Sequence, residues 1–200
     1  MTAQILEQER PFTVALDFHS VRLTEEQFYQ LCQDNDDLRL ELTAEGELII
    51  MPPTGGTTGS RNADITFQIV LWAKKDGTGL SFDSSTMFIL PNGAKRSPDA
   101  SWVSRERWDA LSEEQRERFV PLCPDFVLEL RSATDRLSFL QDKTQEYIAN
   151  GAQLGLLIDP QSKQAYVYRP NQPVECLDNP QSISGEPALP GFALDLKDIW

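Results

Sequence analysis

Histidine is nearly missing from this chain: its 200 residues include one, His19. A Ser-His or Cys-His nucleophile pair would have to recruit that residue from an N-terminal arm. Cysteine is scarce too. Cys32, Cys123 and Cys176 are far apart and odd in number. They match no zinc-ligand spacing and no disulfide framework, and fit reduced thiols in a cytoplasm. No run of about 18 apolar residues occurs, so no membrane-spanning helix is expected. Residues 1–10 lack the basic and apolar parts of a signal peptide, so a cytoplasmic location is expected. Positive charge is also short. Lys and Arg number 18 against 31 Asp and Glu, giving a net −13. Such a surplus argues against a large basic face gripping nucleic acid.

What is present is ordinary globular composition, 40% hydrophobic and 24% charged. The length suits one domain with its own core. Residues 1–20 read as an arm with strand character over 12–18, and 21–200 as a single domain. Thr24 and Gln27 have the spacing of a capping box, and Leu23 and Phe28 that of a hydrophobic staple, so a helix is expected to run to Asp34. Residues 38–42 and 47–51 alternate around Ala44-Glu45-Gly46 as a β-hairpin. Ile65, Ile69 and Trp72 mark a helix over 60–75. Strands are expected at 80–83, 87–90, 99–103, 126–131, 154–158 and 165–168. Helices are expected at 105–118 and 137–150. The proline-rich tail reads as loop with a packed end over 192–200. The mixture indicates an α/β (α+β) domain with a central mixed sheet flanked by helices.

The glycine run Gly55-Gly56-Thr57-Thr58-Gly59 could turn amides toward a phosphate. It lacks the Lys-Ser/Thr ending of a P-loop, and a flexible loop is the better reading. Carboxylates are the remaining chemistry. Asp99 opens a strand after Pro98. Glu129 lies inside the apolar strand 126–131, where a charge is costly unless paired or metal-bound. Asp125 shares its face but sits about 13 Å along the strand, too far to share an ion. Asp99 is thus the natural partner of Glu129. The alternatives are a turn role for Asp99 and a salt bridge from Glu129 to Arg131 or Arg39. Lys143 lies on or beside the buried stripe of helix 137–150, among Leu140 and Tyr147. It can snorkel outward or point at the sheet. Asp135 reads as the helix cap.

These residues have a familiar order. Leu40-Glu41-Leu42 and Gly46-Glu47-Leu48 precede Ser97-Pro98-Asp99. Pro124-Asp125-Phe126-Val127-Leu128-Glu129, Lys143 with Tyr147, Leu157-Ile158-Asp159-Pro160 and Leu189-Pro190-Gly191-Phe192 follow. The sequence resembles the Uma2 family, formerly DUF820, of the PD-(D/E)XK nuclease superfamily. The likeness spans about residues 21–200. It implies a restriction-endonuclease-like core and a metal-dependent endonuclease hydrolysing phosphodiesters, with DNA as the expected substrate. It also implies Mg²⁺ or Mn²⁺ held by Asp99, Glu129 and the Leu130 backbone carbonyl. Glu41 matches the acid that the first core element often supplies, with Glu47 as its substitute. The superfamily lysine normally stands two residues after the second acid, where this chain has Arg131. The resemblance moves that role to Lys143 and leaves Arg131 as a phosphate contact. Asp99, Glu129, Lys143 and Glu41 are therefore the expected catalytic set.

The competing expectation is an inactive nuclease-fold module that binds a protein or nucleic-acid partner. A hydrolase of another phosphoester is a third. A homodimer is also considered, with Trp102, Trp108 and Trp200 as interface candidates. The small basic pairs Lys74/Lys75, Lys95/Arg96 and Arg105/Arg107 would give weak nucleic-acid binding with shallow salt dependence.

Overall fold

The computed structural model describes residues 14–18 and 20–200. The readings of residues 1–13 and of His19 lie outside these. In chain order the elements are β1 (Val14–Asp17), α1 (Glu25–Asp34), β2 (Arg39–Leu42), β3 (Glu47–Met51) and α2 (Gly56–Asp76). Next come β4 (Gly79–Asp83), β5 (Phe88–Ile89), β6 (Lys95–Arg96), β7 (Ala100–Ser104), α3 (Arg105–Asp109) and α4 (Glu113–Glu117). The chain continues with β8 (Phe126–Leu130), α5 (Leu137–Ala149), β9 (Leu154–Asp159), β10 (Gln164–Tyr168), β11 (Glu175–Asp178), β12 (Ser182–Ser184) and β13 (Ala193–Asp195).

Local chemistry explains the early elements. Thr24 accepts from the Gln27 amide while the Gln27 side chain accepts from the Thr24 amide, so the capping box forms. Leu23 and Phe28 meet in one apolar cluster, as the staple requires. Gly46, with φ of 95°, turns the chain between β2 and β3 in a conformation that side-chain-bearing residues rarely adopt.

Two larger sheets result among the described residues. One has the order β1-β3-β2-β6-β5, the other β11-β10-β9-β8-β7-β4. In the second, β8 and β9 are parallel and their neighbours antiparallel, so this sheet is mixed. Parallel β8 and β9 need a crossover, and α5 supplies it. Along β8, Phe126, Leu128 and Leu130 pack into the larger apolar cluster, while Val127 joins a second one. Gly155 on β9 lets α5 lie close to the sheet: a Cβ there would come within 2.8 Å of Thr144 Cγ2. That close approach seats the neighbouring Lys143 against the strands.

Several sequence expectations are corrected. The glycine run is not a loop: Gly55 is the N-cap position of α2, and Gly56 to Gly59 form its first turn. First-turn amides lack intrahelical partners in any case, so glycine there forfeits little. Residues 105–118 are two short helices rather than one, because Ser112 and Gln115 build a second capping box that restarts the chain. Asp135 does not cap α5. Arg136 holds the N-cap position, and Asp135 Oδ2 instead accepts from the Ser132 amide in the preceding turn. The tail contains three strands. Its prolines all fall outside these strands, and Ile183, Leu189, Phe192, Leu194, Leu196 and Ile199 are buried in the main core. The described part of the arm adds β1 to the edge of the first sheet, in register with β3. Trp102 is buried, and Trp108 and Trp200 pack against the core, so core packing accounts for all three. No helix among the described residues is long and apolar enough to cross a membrane.

Candidate functional site

The β7–β8 register brings the acids together. Ala100 pairs with Leu128. Asp99, one residue earlier, therefore stands across from Glu129, one residue later. The Leu130 amide donates to Asp99 Oδ2 at 2.8 Å. Above them, Lys143 does not snorkel. Its ammonium is 2.8 Å from Glu41 Oε1 and 2.9 Å from Glu129 Oε1. Lys143 thus reaches the sheet face carrying Glu129, and neither Arg131 nor Arg39 pairs with that acid.

Further charges and donors surround Glu41, which is wholly buried. Arg96 contacts Glu41 Oε2 at 3.1 Å and Glu146 Oε2 at 2.7 Å, and the Ser97 amide donates to Glu41 Oε1 at 2.9 Å. The Tyr147 hydroxyl donates to Glu129 Oε1 at 3.2 Å.

One ammonium thus serves two carboxylates with unequal support. Burial pushes the Glu41 carboxyl up, but Lys143, Arg96 and the Ser97 amide together hold it below its ordinary value. Glu129 is pushed up to about 8, chiefly by burial, with the charges of Asp99 and Glu41 adding to the rise against the pull of Lys143. Burial also raises Asp99, against the Leu130 amide and Lys143. Burial disfavours the Lys143 ammonium, yet Glu129 and Glu41 overcome this and raise its pKa. Lys143 therefore stays protonated at neutral pH. As an ammonium it donates hydrogen bonds and supplies positive potential.

Asp99, Glu129, Leu130 and Lys143 line a cleft of about 1090 Å³, walled by β3, the glycine turn of α2 and the loop 132–136. Glu41 does not line it. Asp99 Oδ1 and Glu129 Oε2 accept no hydrogen bond from any described residue. Among the described residues no three of His, Cys, Asp and Glu gather into a metal-binding group. The donor set is two carboxylates with the Leu130 peptide beside them. Each carboxylate has one oxygen spare, and both are short of compensating positive charge. Hard oxygen donors of this kind fit a divalent cation that keeps several waters.

Arg131 is not brought into this set. It binds Asp159 Oδ2 at 2.8 Å and the Asp135 carbonyl. Glu47 lines the cleft from β3. One basic pair is turned inward: Lys95 and Arg96 are buried, whereas Arg105 is exposed and half-buried Arg107 pairs with Asp125 at 2.7 Å. The sequence reading missed Arg96 and Glu146 as parts of the site. Their only signal was Arg96 lying three residues before Asp99, and Glu146 three after Lys143, one helical turn on. Cysteine chemistry is remote from the cleft, and burial pushes the Cys123 thiol up to about 12.

The family described as "Uma2: Putative restriction endonuclease" matches residues 25–197. The chain belongs to the Uma2 family. A crystal structure of a putative nuclease belonging to DUF820, from Anabaena variabilis ATCC 29413, is similar with a TM-score of 0.75 and 22% identity. The match covers 89% of this chain and 97% of that one, and it shows a shared fold. No curated protein matches. Ser97, Asp99, Glu129 and Lys143, from three of the segments that carry the resemblance, all line the cleft.

Proposed function

We propose that this protein is a divalent-metal-dependent endonuclease that hydrolyses phosphodiester bonds in DNA. The observation that carries the reading is the pair Asp99 and Glu129, facing each other at the cleft floor beside a protonated, buried Lys143. Asp99 Oδ1 and Glu129 Oε2 would hold Mg²⁺ or Mn²⁺, with the Leu130 carbonyl as a further ligand. Such an ion lowers the pKa of bound water and neutralises phosphate charge. Lys143 orients the attacking water or a phosphate oxygen and stabilises negative charge. Glu41 touches neither substrate nor ion. It positions Lys143, with Arg96 and Glu146 behind it. Arg131, tied to Asp159, has no direct role in this scheme.

The cleft carries Arg39, Arg136 and Lys143 against Glu47, Asp99, Glu129, Asp135 and Asp142. This balance supports weak intrinsic affinity for nucleic acid and a shallow salt dependence. The unpaired cysteines suit action in the cytoplasm.

The test is cleavage of supercoiled plasmid, single-stranded DNA and RNA, each with Mg²⁺, Mn²⁺ or chelator. Nicked and then linear plasmid is expected with either metal and none with chelator. Cleavage of RNA alone would overturn the DNA assignment. Intact substrates in every lane, from protein that binds the metal, would favour the non-catalytic binding module.

A further inference from the structure

The longest helix among the described residues carries a face that none of the other described residues covers. On α2, Ile65, Ile69 and Ala73 point into the core. Gln68 is tied to β13 through both the Asp195 amide and the Asp195 carbonyl. The opposite stripe is Ser60, Ala63, Phe67, Leu71 and Lys74, at helical spacings of three and four. Phe67 is 60% exposed and Leu71 58%, the two most exposed large apolar side chains on any described helix. Single exposed apolar residues are ordinary, but two stacked one turn apart form a patch.

The charge around that patch identifies its occupant. Take the midpoint between Phe67 and Leu71 and run a second α2 across it antiparallel. Phe67 of one copy then meets Leu71 of the other. Asp64 falls level with Lys74 and Lys75. At 100° per residue, Asp64 and Lys75 lie on the same flank of the stripe, about 60° and 80° from Phe67. A two-fold axis normal to the helix pair keeps that flank facing the same way in both copies, so each Asp64 lies opposite the partner's Lys75, twice over. Asp64 Oδ2 accepts only a 3.2 Å bond from Gln68, and its Oδ1 has no partner among the described residues. Lys74 and Lys75 are exposed and form no ion pair with any described residue. A parallel two-fold pairing would instead put the Asp64 and Lys75 flanks of the two copies on opposite sides of the helix pair, so that neither charge meets the other across it.

We propose that this face of α2 is an isologous dimer interface, occupied by α2 of a second copy of this chain running antiparallel. The helix is about 31 Å long at 1.5 Å per residue, and four apolar side chains bury on pairing. This is small beside the roughly 1,600 Å² of a standard stable interface, so the dimer is a concentration-dependent one. Its N-terminal glycine turns line the clefts, so the two clefts fall at opposite ends of the helix pair.

Sedimentation equilibrium of the full chain from about 1 to about 200 µM tests this, that being the range a weak interface requires. The apparent mass should rise from one chain to two. Phe67→Glu/Leu71→Glu should stay monomeric at the highest loading with unchanged far-ultraviolet circular dichroism. Asp64→Lys alone and Lys75→Asp alone should each weaken the dimer by about 10-fold, because like charges then face each other. Asp64→Lys/Lys75→Asp together should return it to near wild-type strength. A monomer at every loading overturns the proposal. So does a dimer that survives Phe67→Glu/Leu71→Glu, which would place the interface elsewhere. Failure of the paired charge variant to recover overturns the antiparallel register, and with it the assignment of a second copy to this face.

Discussion

Asp99→Asn is expected to cut cleavage by about 10²–10³-fold, the scale for removing one preorganised charge contact from a catalytic site. The same variant is expected to fold at least as stably as the parent when metal is absent. Asparagine can still accept from the Leu130 amide, as Asp99 Oδ2 does. It also removes a buried acid whose charge burial disfavours. Activity and stability then move in opposite directions. This separates a residue kept for function from one kept for folding. A parallel urea melt and plasmid assay on the purified variant checks both halves. Loss of activity accompanied by a large loss of stability would recast Asp99 as a structural residue.

Lys143→Met is expected to give the largest stability effect. The substitution keeps the apolar stem and removes the ammonium from two buried carboxylates. Breaking a buried charge pair from one side costs about 3–5 kcal/mol. The deficit should depend on pH, and its sign follows from the carboxylates left behind. Glu129 already has its folded pKa raised from 4.5 to about 8. Between those values the native state holds a proton that the unfolded chain releases, so stability falls as pH rises across that window and levels off above it. Glu41 acts oppositely in the parent. Its lowered pKa gives stability that is present above the ordinary value and lost as pH falls through the folded one. Without Lys143, Glu41 loses its nearest cation, and Glu129 loses the partner that restrained its rise. The variant should therefore be least impaired near pH 5 and most impaired near pH 8. Urea midpoints at those two values measure this. An equal deficit at both would mean that the ammonium does not compensate the carboxylates.

Two residues of the candidate site stood out by local rules, and the resemblance to Uma2 joined them to Asp99. Glu129 stood out as a charge within an apolar strand, and Lys143 as a cation on a buried helical stripe. Side-chain alternation and the 3.6-residue period suffice for both. The network holding them was not legible. Arg96 meets Glu41 across 55 positions and Glu146 across 50. As a pair, Lys95 and Arg96 read like a solvated basic cluster until the fold buries them. The same contrast holds for the fold. Thr24 and Gln27 announce α1 from four consecutive residues. β11 takes its identity from β10, and β12 from β13, pairings that no local pattern announces. The antiparallel β7–β8 register, which joins Asp99 to Glu129, is likewise a product of the whole sheet.

The most direct test of the shared-ion site is Mn²⁺ titration of the purified protein by calorimetry at pH 8, with Asp99→Asn and Glu129→Gln alongside. One ion per chain is expected for the parent, with binding weakened at least 10-fold in each variant. Undiminished Mn²⁺ binding in both variants, or none in the parent, would contradict a cation held between Asp99 and Glu129.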